Sequence, residues 1–518
     1  MTSSPPPATP GGHVPNEWTV ALAVLVGAAL VRLAFAALIP LFPDETYYWD
    51  WSRHMAASYF DHPWGIAALI HGGDWLASRV GVAASPVTVR LLVIVVGFLA
   101  SLFGAAIARQ LGDNRAALIT AVVFSAMPLA SSGLVLATPD VPLLFTTTAA
   151  LYCVVRALGY RARSASSLWW WIAAGIALGL AFSSKYTSIL IPLGVTIGVC
   201  TRRGLRARLR EPGPYIACVV ATLVFAPVLV WNARHAWVSF AFQLHHGLGA
   251  PSGSPFKREL DLLGGQAGLA TPILLVLLGI AVWRALRRPR SDLHYLLAVV
   301  AATCVAMFAF SAFRRPVEAN WPALAYVPAV PLLALTDWST SARRWLRWGV
   351  WLAVLVSVVA YVQSVVPILP LPARRDPVAR SAGWGQLADS VDAARRVMTD
   401  RAARTWIGAD KYQDASELAF RLPERPFTFS VNLSSRPNQY DLWPGFPQLA
   451  RPGDDLVLVL DEVAEPHHTA VVLGPHFNTM QQGSLVPLRR HDGDVATYRR
   501  IWILRGWKGT WPAREPGY

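Results

Sequence analysis

The stretch FPDETYYWDW, residues 42–51, follows the first long apolar run of the sequence. It places two adjacent carboxylates, Asp44 and Glu45, just beyond a segment long enough to cross a membrane. Carboxylates at a membrane edge are costly to desolvate and therefore usually face water or a cavity. The aromatic residues that accompany them are typical of a segment in the membrane interface. Taken alone, the stretch fits a solvated loop with an aromatic anchor as well as it fits a functional site.

The composition of the whole chain indicates a polytopic α-helical membrane protein. The 518 residues are 54% hydrophobic and only 15% charged, with a mean hydropathy of +0.38, whereas soluble domains carry about 25% charged residues. The net charge of +15 is spread over short basic clusters between apolar runs, which indicates membrane orientation signals and no nucleic-acid partner. The four cysteines lie within apolar runs and lack CxxC spacing, so neither a disulfide framework nor a zinc site is predicted.

Hydropathy divides the N-terminal part of the chain into a tail and a membrane domain. Residues 1–18 are rich in Pro, Ser, Thr and Gly and are predicted to be disordered. Residues 19–366 form the transmembrane domain, and its first outer loop holds two amphipathic segments, 45–58 and 63–80, that should lie in the interface. Because a span needs about 20 apolar residues, we predict about 11 transmembrane helices, at 19–40, 88–108, 115–134, 139–158, 168–183, 186–201, 214–232, 267–285, 293–313, 319–336 and 345–366.

The short loops predict the orientation. One set of alternate loops contains 17 Lys and Arg residues and the other set contains 8, and the richer set should be cytoplasmic. The N-terminus is then cytoplasmic, whereas Asp44 and residues 367–518 lie outside. The outer C-terminal region has a polar helical stretch at 384–404. It also has β-type runs at 405–408, 427–431 and 456–460. These patterns predict a small C-terminal α/β extracytoplasmic domain.

Polar residues collect at the outer ends of the spans. In this topology one face holds Asp44, Glu45, Asp61, His62, Asp140, Lys185, Tyr186, Asn232, Arg234, His235, Glu318 and Asn320. Some have a structural alternative, since Asp140 could be a helix N-cap and Lys185 could snorkel to the interface. Together they suit group transfer from a lipid phosphate, because a carboxylate can accept the proton of an attacking hydroxyl and cations can stabilise a departing phosphate.

Several short motifs carry a resemblance to a known family. They are DE at 44–45, YYW at 47–49, DHP at 61–63, TPDVP at 138–142, SKYT at 184–187, WNARH at 231–235 and NWP at 320–322. Their order and spacing resemble the GT-C type membrane glycosyltransferases, specifically the bacterial branch related to the protein O-mannosyltransferases and to the lipid A aminoarabinose transferase. The resemblance covers roughly residues 20–340. A further stretch, NQYDLW at 438–443, resembles an element of one bacterial subgroup.

The resemblance implies an inverting glycosyltransferase of the bacterial inner membrane. Such an enzyme moves a sugar from a polyprenyl-phosphate donor to an envelope acceptor on the periplasmic face, and lipid A, another glycan, a lipid or a protein all stay open as acceptors. The catalytic acid falls on Asp44 and a second acid on Asp140, with Glu45 as a further catalytic candidate. Candidate ligands of the donor phosphate are Lys185, Arg234, His62 and His235, and candidate substrate-binding residues are Asp61, Tyr48, Tyr186, Asn232 and Asn320.

One position departs from the family pattern. His62 stands where the aminoarabinose transferases usually have Lys. A neutral His is a weaker phosphate ligand than Lys unless an acid such as Asp61 keeps it protonated. If it is neutral, Lys185 or Arg234 is expected to supply the cation.

Two other function classes stay open. A lipid-linked sugar flippase or transporter predicts charges deep within spans and often internal symmetry, and the sequence has few such charges and no repeat. A non-catalytic assembly factor would use the soluble domain to bind an envelope partner. The expected chemistry needs no cofactor, although a divalent cation bound by Asp44, Asp61 and Asp140 is an open alternative.

Overall fold

The computed structural model describes residues 16–159, 164–249, 253–398, 403–433, 435–461 and 468–514. Most of the tail predicted to be disordered, residues 1–15, lies outside the described residues, as do Arg161 and Arg163 of the orientation count. Asn16 caps the first helix by accepting a hydrogen bond from the amide of Trp18 at 3.1 Å. The first helix therefore begins at the end of the predicted tail.

Helices form the chain as far as residue 365. In order they are α1 (Glu17–Leu38), α2 (Pro43–Arg53), α3 (Gly65–Ser78), α4 (Pro86–Leu111), α5 (Asn114–Ala126), α6 (Pro128–Gly133), α7 (Asp140–Gly159), α8 (Ala165–Phe182), α9 (Leu190–Thr201), α10 (Arg203–Arg206), α11 (Pro212–Arg234), α12 (Val238–Leu248), α13 (Pro255–Ala270), α14 (Pro272–Arg287), α15 (Asp292–Arg314), α16 (Ala323–Leu335) and α17 (Thr340–Val365). Short 3-10 helices at Tyr186–Ile189 and Ala207–Arg210 precede α9 and follow α10.

Fewer helices reach spanning length than the sequence predicted. Within the described part of the chain, α1, α4, α7, α8, α11, α15 and α17 are long and apolar enough to cross a membrane. Two sharply bent pairs, Tyr186–Thr201 with Arg203–Arg210 and α13 with α14, bring the number to 9 if each pair is one span. The predicted spans at 115–134 and 319–336 contain α5 and α16, each of 13 residues. Such a helix is about 20 Å long, short of the ~30 Å hydrocarbon core. Pro128 starts a separate helix directly after α5.

The two helices of the loop predicted to be the first outer loop, α2 and α3, lie in different environments. α2 buries its aromatic side chains, with Trp51 0% and Tyr47 2% exposed, against the C-terminal region. The lipid-facing position predicted for 45–58 is therefore not what the structure shows. In contrast, α3 exposes Trp75 and Leu76 at 49% and 43%, which fits a helix that contacts a membrane surface.

The C-terminal region is a mixed five-stranded sheet with helices packed on it. Its elements are α18 (Trp384–Met398), β1 (Thr405–Ala409), α19 (Tyr412–Arg421), β2 (Thr428–Ser430), α20 (Phe446–Leu449), β3 (Asp455–Asp461), α21 (His468–Leu473), β4 (Phe477–Arg489) and β5 (Val495–Trp507), with short 3-10 helices at Ala373–Arg375, Pro377–Ser381, Gln439–Asp441 and Gly474–His476. The strand order is β2-β1-β3-β5-β4. Strand β1 pairs in parallel with β2 and β3, and β5 pairs antiparallel with β3 and β4. Every residue of β3 is buried, as expected for a strand covered on both faces.

The C-terminal region is docked directly on the first outer loop. Phe420 of α19 packs on Trp49 of α2, with ring centroids 4.9 Å apart. The hydroxyl of Tyr440, in the 438–443 stretch, donates to Oδ2 of Asp50 at 2.7 Å. Buried aromatic surface and buried hydrogen bonds thus fix α2 between the membrane helices and the sheet.

Candidate active site

Asp44 and Glu45 begin α2 and point into different environments. Pro43 takes the first helical position, where its missing amide costs nothing. The Glu45 side chain turns back and accepts a hydrogen bond from the Phe42 amide at 3.0 Å, which satisfies one of the amides left open at a helix start. Glu45 is 1% exposed, whereas Asp44 is exposed. The helix start therefore buries one acid and presents the other.

Glu45 is held by Arg90 of α4. Nε of Arg90 donates to Oε1 of Glu45 at 2.8 Å, and the Ala137 amide donates to the same oxygen at 2.8 Å. The guanidinium, 0% exposed, also donates to the carbonyls of Ala36 and Ile39. Donors of the scaffold occupy both carboxylate oxygens of Glu45. Glu45 therefore fixes the loop on the membrane helices, and its catalytic role stays a prediction.

Asp44 lines a cavity of about 530 Å³ between the first outer loop and the C-terminal region. Within the described residues, no group hydrogen-bonds to its carboxylate. Protein surrounds the recess, and this desolvation raises the pKa of the Asp44 carboxyl group above its usual 3.8; Arg380 opposes the rise and Asp61 adds to it. An unengaged carboxylate with a raised pKa has the properties of a general base.

Three predicted residues from separate loops meet at the start of α7. Nζ of Lys185 donates to Oδ1 of Asp140 at 2.8 Å, and Nδ2 of Asn320 donates to Oδ2 at 2.7 Å. Lys185 is 7% exposed, and its Nζ lies 5.9 Å from the ring centroid of Trp321, within cation–π range. The lysine therefore points inward and does not snorkel, and the Asp140 carboxylate bonds to other loops.

A second group joins the first outer loop to the C-terminal region. The Tyr47 hydroxyl donates to Oδ2 of Asp61 at 2.8 Å, and Nη1 of Arg436 donates to Oδ1 at 2.8 Å. Nη2 of Arg436 donates to the Tyr412 hydroxyl at 2.9 Å. The Arg436 side chain remains 37% exposed. The C-terminal region therefore contributes a partly open cation to the site.

His62 and Tyr48 lie between these two groups, with ring centroids 6.4 Å apart. Burial, reinforced by the charges of Lys185 and Arg436, holds the pKa of His62 well below 6.5, so His62 is neutral at pH 7. Asp61 does not keep His62 protonated, because its carboxylate is paired with Arg436. Burial, followed by nearby carboxylates, raises the pKa of Tyr48 well above 10, which keeps its hydroxyl a hydrogen-bond donor.

Tyr186 and Asn232 form a third group close to the spans. The Tyr186 hydroxyl lies 2.9 Å from Oγ of Ser239 and accepts a hydrogen bond from Nδ2 of Asn232 at 3.3 Å. Oγ of Ser58, in the first outer loop, lies 3.4 Å from the same hydroxyl. These contacts tie the loop to α11 and α12. The structure therefore brings both predicted residues together, and their role in substrate binding stays a prediction.

Two predicted phosphate ligands lie away from these groups. Arg234 and His235, at the end of α11, are both exposed. His235 stacks on Trp231 with ring centroids 3.9 Å apart, and its Nδ1 lies 2.8 Å from the Trp231 carbonyl oxygen. Asn232 faces the site, and a helical residue two positions later points about 200° away. The structure therefore does not bring Arg234 and His235 to Lys185.

No group of three or more His, Cys, Asp or Glu side chains is arranged to hold a metal ion within the described ranges. Asp140 and Asp61, two of the three acids considered for a metal, are each paired with a cation.

Two cations near Asp44, Arg380 and Arg436, are not among the residues predicted from the sequence. Both lower the pKa of Asp44. Both lie more than 300 residues after Asp44, in the region for which the sequence predicts only a small extracytoplasmic domain. Nothing in the local sequence separates them from other arginines. The one available signal was the 438–443 stretch, which begins two residues after Arg436.

Comparisons with known proteins concern the fold and the family resemblance of the chain. Residues 61–231 match the family described as dolichyl-phosphate-mannose-protein mannosyltransferase. Lipid A galacturonosyltransferase RgtD of Rhizobium johnstonii is 26% identical over 309 residues, which cover 59% of this chain and 63% of RgtD. The apo structure of ArnT from Cupriavidus metallidurans aligns with a TM-score of 0.63 at 18% identity, covering 94% of this chain and 98% of ArnT. The chain therefore has the GT-C glycosyltransferase fold, and residues 61–231 resemble the mannosyltransferase family.

Other GT-C structures share the fold. ArnT bound to undecaprenyl phosphate aligns with a TM-score of 0.63 at 19% identity, over 95% of this chain and 99% of ArnT. The oligosaccharyltransferase AglB of Archaeoglobus fulgidus, in complex with an inhibitory peptide and a dolichol-phosphate, gives 0.53 at 12% identity, over 93% of this chain and 74% of AglB. At these identities the alignments establish the GT-C fold alone. The match to RgtD spans less than two thirds of that relative's length.

Proposed function

We propose that this protein is an inverting glycosyltransferase that moves a sugar from a polyprenyl-phosphate donor to a lipid acceptor on the periplasmic face of the inner membrane. The observation that carries the proposal is an unengaged acid, Asp44, close to two acid–cation pairs. Asp44 faces the cavity, while Lys185 and Arg436 hold the neighbouring acids. The bound lipid phosphate of ArnT and the acceptor named for RgtD support the lipid character of both substrates.

Asp44 is the general base of the proposed reaction. An acceptor hydroxyl attacks the anomeric carbon of the donor sugar while the bond from that carbon to the phosphate oxygen breaks. The hydroxyl proton passes to the Asp44 carboxylate, and polyprenyl phosphate leaves with the electron pair. One displacement inverts the anomeric configuration. The raised pKa of Asp44 favours this proton transfer, because it makes the carboxylate a better acceptor near neutral pH.

Lys185 and Arg436 stabilise the charge that develops on the departing phosphate. Nζ of Lys185 has three protons and uses one on Asp140. Arg436 bonds through Nη1 and Nη2 and is partly open to the site. Both cations lie close enough to His62 to lower its pKa. We therefore assign the positive charge that relatives place at the His62 position to Arg436, and His62 itself to neutral hydrogen bonding.

Reconstitution with defined lipids tests the proposal. The purified protein in liposomes is supplied with undecaprenyl phosphate linked to labelled hexose, uronic acid or aminopentose, and with lipid A. We expect one labelled donor to yield a glycosylated lipid and undecaprenyl phosphate, measured by mass spectrometry. Movement of labelled donor across the bilayer with no glycosylated product from any donor would overturn the proposal and favour the flippase.

Arg436→Gln is expected to reduce kcat/KM for the donor about 10- to 100-fold. The amide can still bond to Asp61 but no longer supplies a charge, and a charged hydrogen bond contributes about 1.5–3 kcal/mol. Inhibition by undecaprenyl phosphate should weaken in parallel, and Arg436→Lys should recover part of both. The matched control is Arg396→Gln, since Arg396 pairs with Asp392 on the exposed face of α18. Unchanged inhibition by undecaprenyl phosphate in Arg436→Gln would contradict a phosphate role.

The acid limb of the pH–rate profile reports on Asp44. Transfer requires the deprotonated carboxylate, so the rate should fall as the pH drops through a pKa above that of a free aspartate. Arg380 opposes the rise in this pKa, and Arg380→Gln should therefore move the acid limb to higher pH. Profiles of kcat measured at saturating acceptor for the wild type, Arg380→Gln and Arg396→Gln check this. A limb that moves to lower pH in Arg380→Gln would be inconsistent with a base facing Arg380.

A further inference from the structure

The cavity that holds Asp44 is built from three parts of the chain. The start of α2 forms one wall, the connector at 373–382 forms a second, and α19 with β5 forms the third. Its volume of about 530 Å³ lies within the ~300–1,000 Å³ of typical ligand sites. The donor-side cations described above, Lys185 and Arg436, are not part of its lining. The cavity therefore shares Asp44 with the proposed reaction site, while its other lining groups are distinct from the proposed phosphate-binding cations.

Several charged side chains of the cavity lining are paired within the protein. Arg499 is paired with Asp414, with Nη2 3.3 Å from Oδ1, and Lys411 is paired with Asp461. Asp376, the remaining acid of the connector wall, accepts from Nη1 of Arg490 at 2.8 Å. These lining groups are neutralised by partners of the protein itself.

Three arginines of the connector differ from these paired groups. Arg374, Arg375 and Arg380 line the cavity and are exposed. None has a carboxylate within ion-pair distance in the part of the chain that the structure describes. Asp44 is the one acid of the lining, among the described residues, that lacks a cation partner of its own. Three guanidinium groups thus face a recess that carries a single open carboxylate.

We propose that this cavity is the acceptor site and that Arg374, Arg375 and Arg380 bind a phosphate group on the sugar headgroup of a lipid acceptor. The proposal rests on the glycosyltransferase function above. Guanidinium groups match phosphate oxygens in a bidentate geometry, and a cluster of three is suited to a doubly charged anion. The phosphate is a recognition group and does not react. It places a neighbouring hydroxyl of the same headgroup at Asp44, on the wall formed by the start of α2.

Binding measurements test the site without requiring turnover. The full-length protein in phosphatidylcholine nanodiscs is titrated with bisphosphorylated lipid A, with dephosphorylated lipid A, and with phosphatidylglycerol vesicles. The variant carries Arg374→Gln, Arg375→Gln and Arg380→Gln. The matched control carries Arg344→Gln, Arg347→Gln and Arg396→Gln, which remove three exposed arginines elsewhere. Binding of undecaprenyl phosphate checks that each variant keeps a folded donor site.

We expect the connector variant to bind bisphosphorylated lipid A at least 10-fold more weakly, with binding of undecaprenyl phosphate and of dephosphorylated lipid A unchanged. The control variant should match the wild type. Equal affinity of wild type and connector variant for bisphosphorylated lipid A would overturn the site. An equal, arginine-dependent attraction to phosphatidylglycerol vesicles would also overturn it, because the arginines would then bind membrane phospholipid. Absence of transfer by the wild type, with the expected binding pattern intact, would instead refute the glycosyltransferase function.

Discussion

Asp44→Asn is expected to lower the rate of sugar transfer by about 100- to 10,000-fold, the usual contribution of a general base. The amide has nearly the same shape as the carboxylate but cannot accept the proton of the attacking hydroxyl. Asp44 makes no hydrogen bond within the described residues, so the substitution removes no folding contact. Single-turnover transfer from labelled donor, measured beside thermal unfolding in detergent, separates the two effects. We expect lost turnover, retained affinity for undecaprenyl phosphate and an unchanged Tm.

The matched control for this substitution is Asp389→Asn. Asp389 lies on the exposed face of α18. The substitution removes one negative charge, as Asp44→Asn does. It should leave both turnover and Tm at the wild-type values. Turnover within a few-fold of the wild type in Asp44→Asn would refute Asp44 as the base. The neighbouring acids Glu45, Asp140 and Asp61 are each paired with a cation.

The polar residues of the site were predictable because topology alone brings loop ends to one face. Hydropathy located the loops, and Asp140, Lys185 and Asn320 then meet although they are far apart in sequence. Helix periodicity explains why two other predicted residues lie outside this group. Arg234 and His235 follow Asn232 on the same helix end, and only one face of that helix can point into the site. Adjacent residues of a sequence motif on a helix therefore need not all point into the same site.

The orientation of α2 could not be predicted from composition. An aromatic run is stabilised equally by a membrane interface and by a protein core, since both remove its apolar surface from water. The partner that decides between them is the C-terminal region, nearly 400 residues later, where Gln439 donates its amide hydrogen to the Tyr47 hydroxyl at 2.7 Å. The same long separation hid Arg436, whose bond to Asp61 joins residues 375 positions apart. Pairings of this kind follow from the tertiary fold.

The adjacent acids at the start of α2 have different surroundings, and we expect stability measurements to separate a structural Glu45 from a catalytic Asp44. Glu45→Ala is expected to destabilise the protein by about 3–5 kcal/mol, because it leaves the Arg90 guanidinium buried without its carboxylate partner. The Phe42 and Ala137 amides lose their acceptor as well. A clear drop in Tm should be visible by intrinsic fluorescence in detergent. Below that Tm, turnover per folded molecule should stay within a few-fold of the wild type.

A double variant shows whether the loss comes from the unpaired charge. Glu45→Ala combined with Arg90→Met removes both members of the pair, and the apolar Met fills part of the space without needing a buried partner. We expect its Tm to lie above that of Glu45→Ala, although Arg90 also donates to the carbonyls of Ala36, Ile39 and Pro40, which then lose a donor. If Glu45→Ala instead kept the wild-type Tm and lost turnover as Asp44→Asn does, Glu45 would belong to the catalytic machinery and the structural assignment would be wrong.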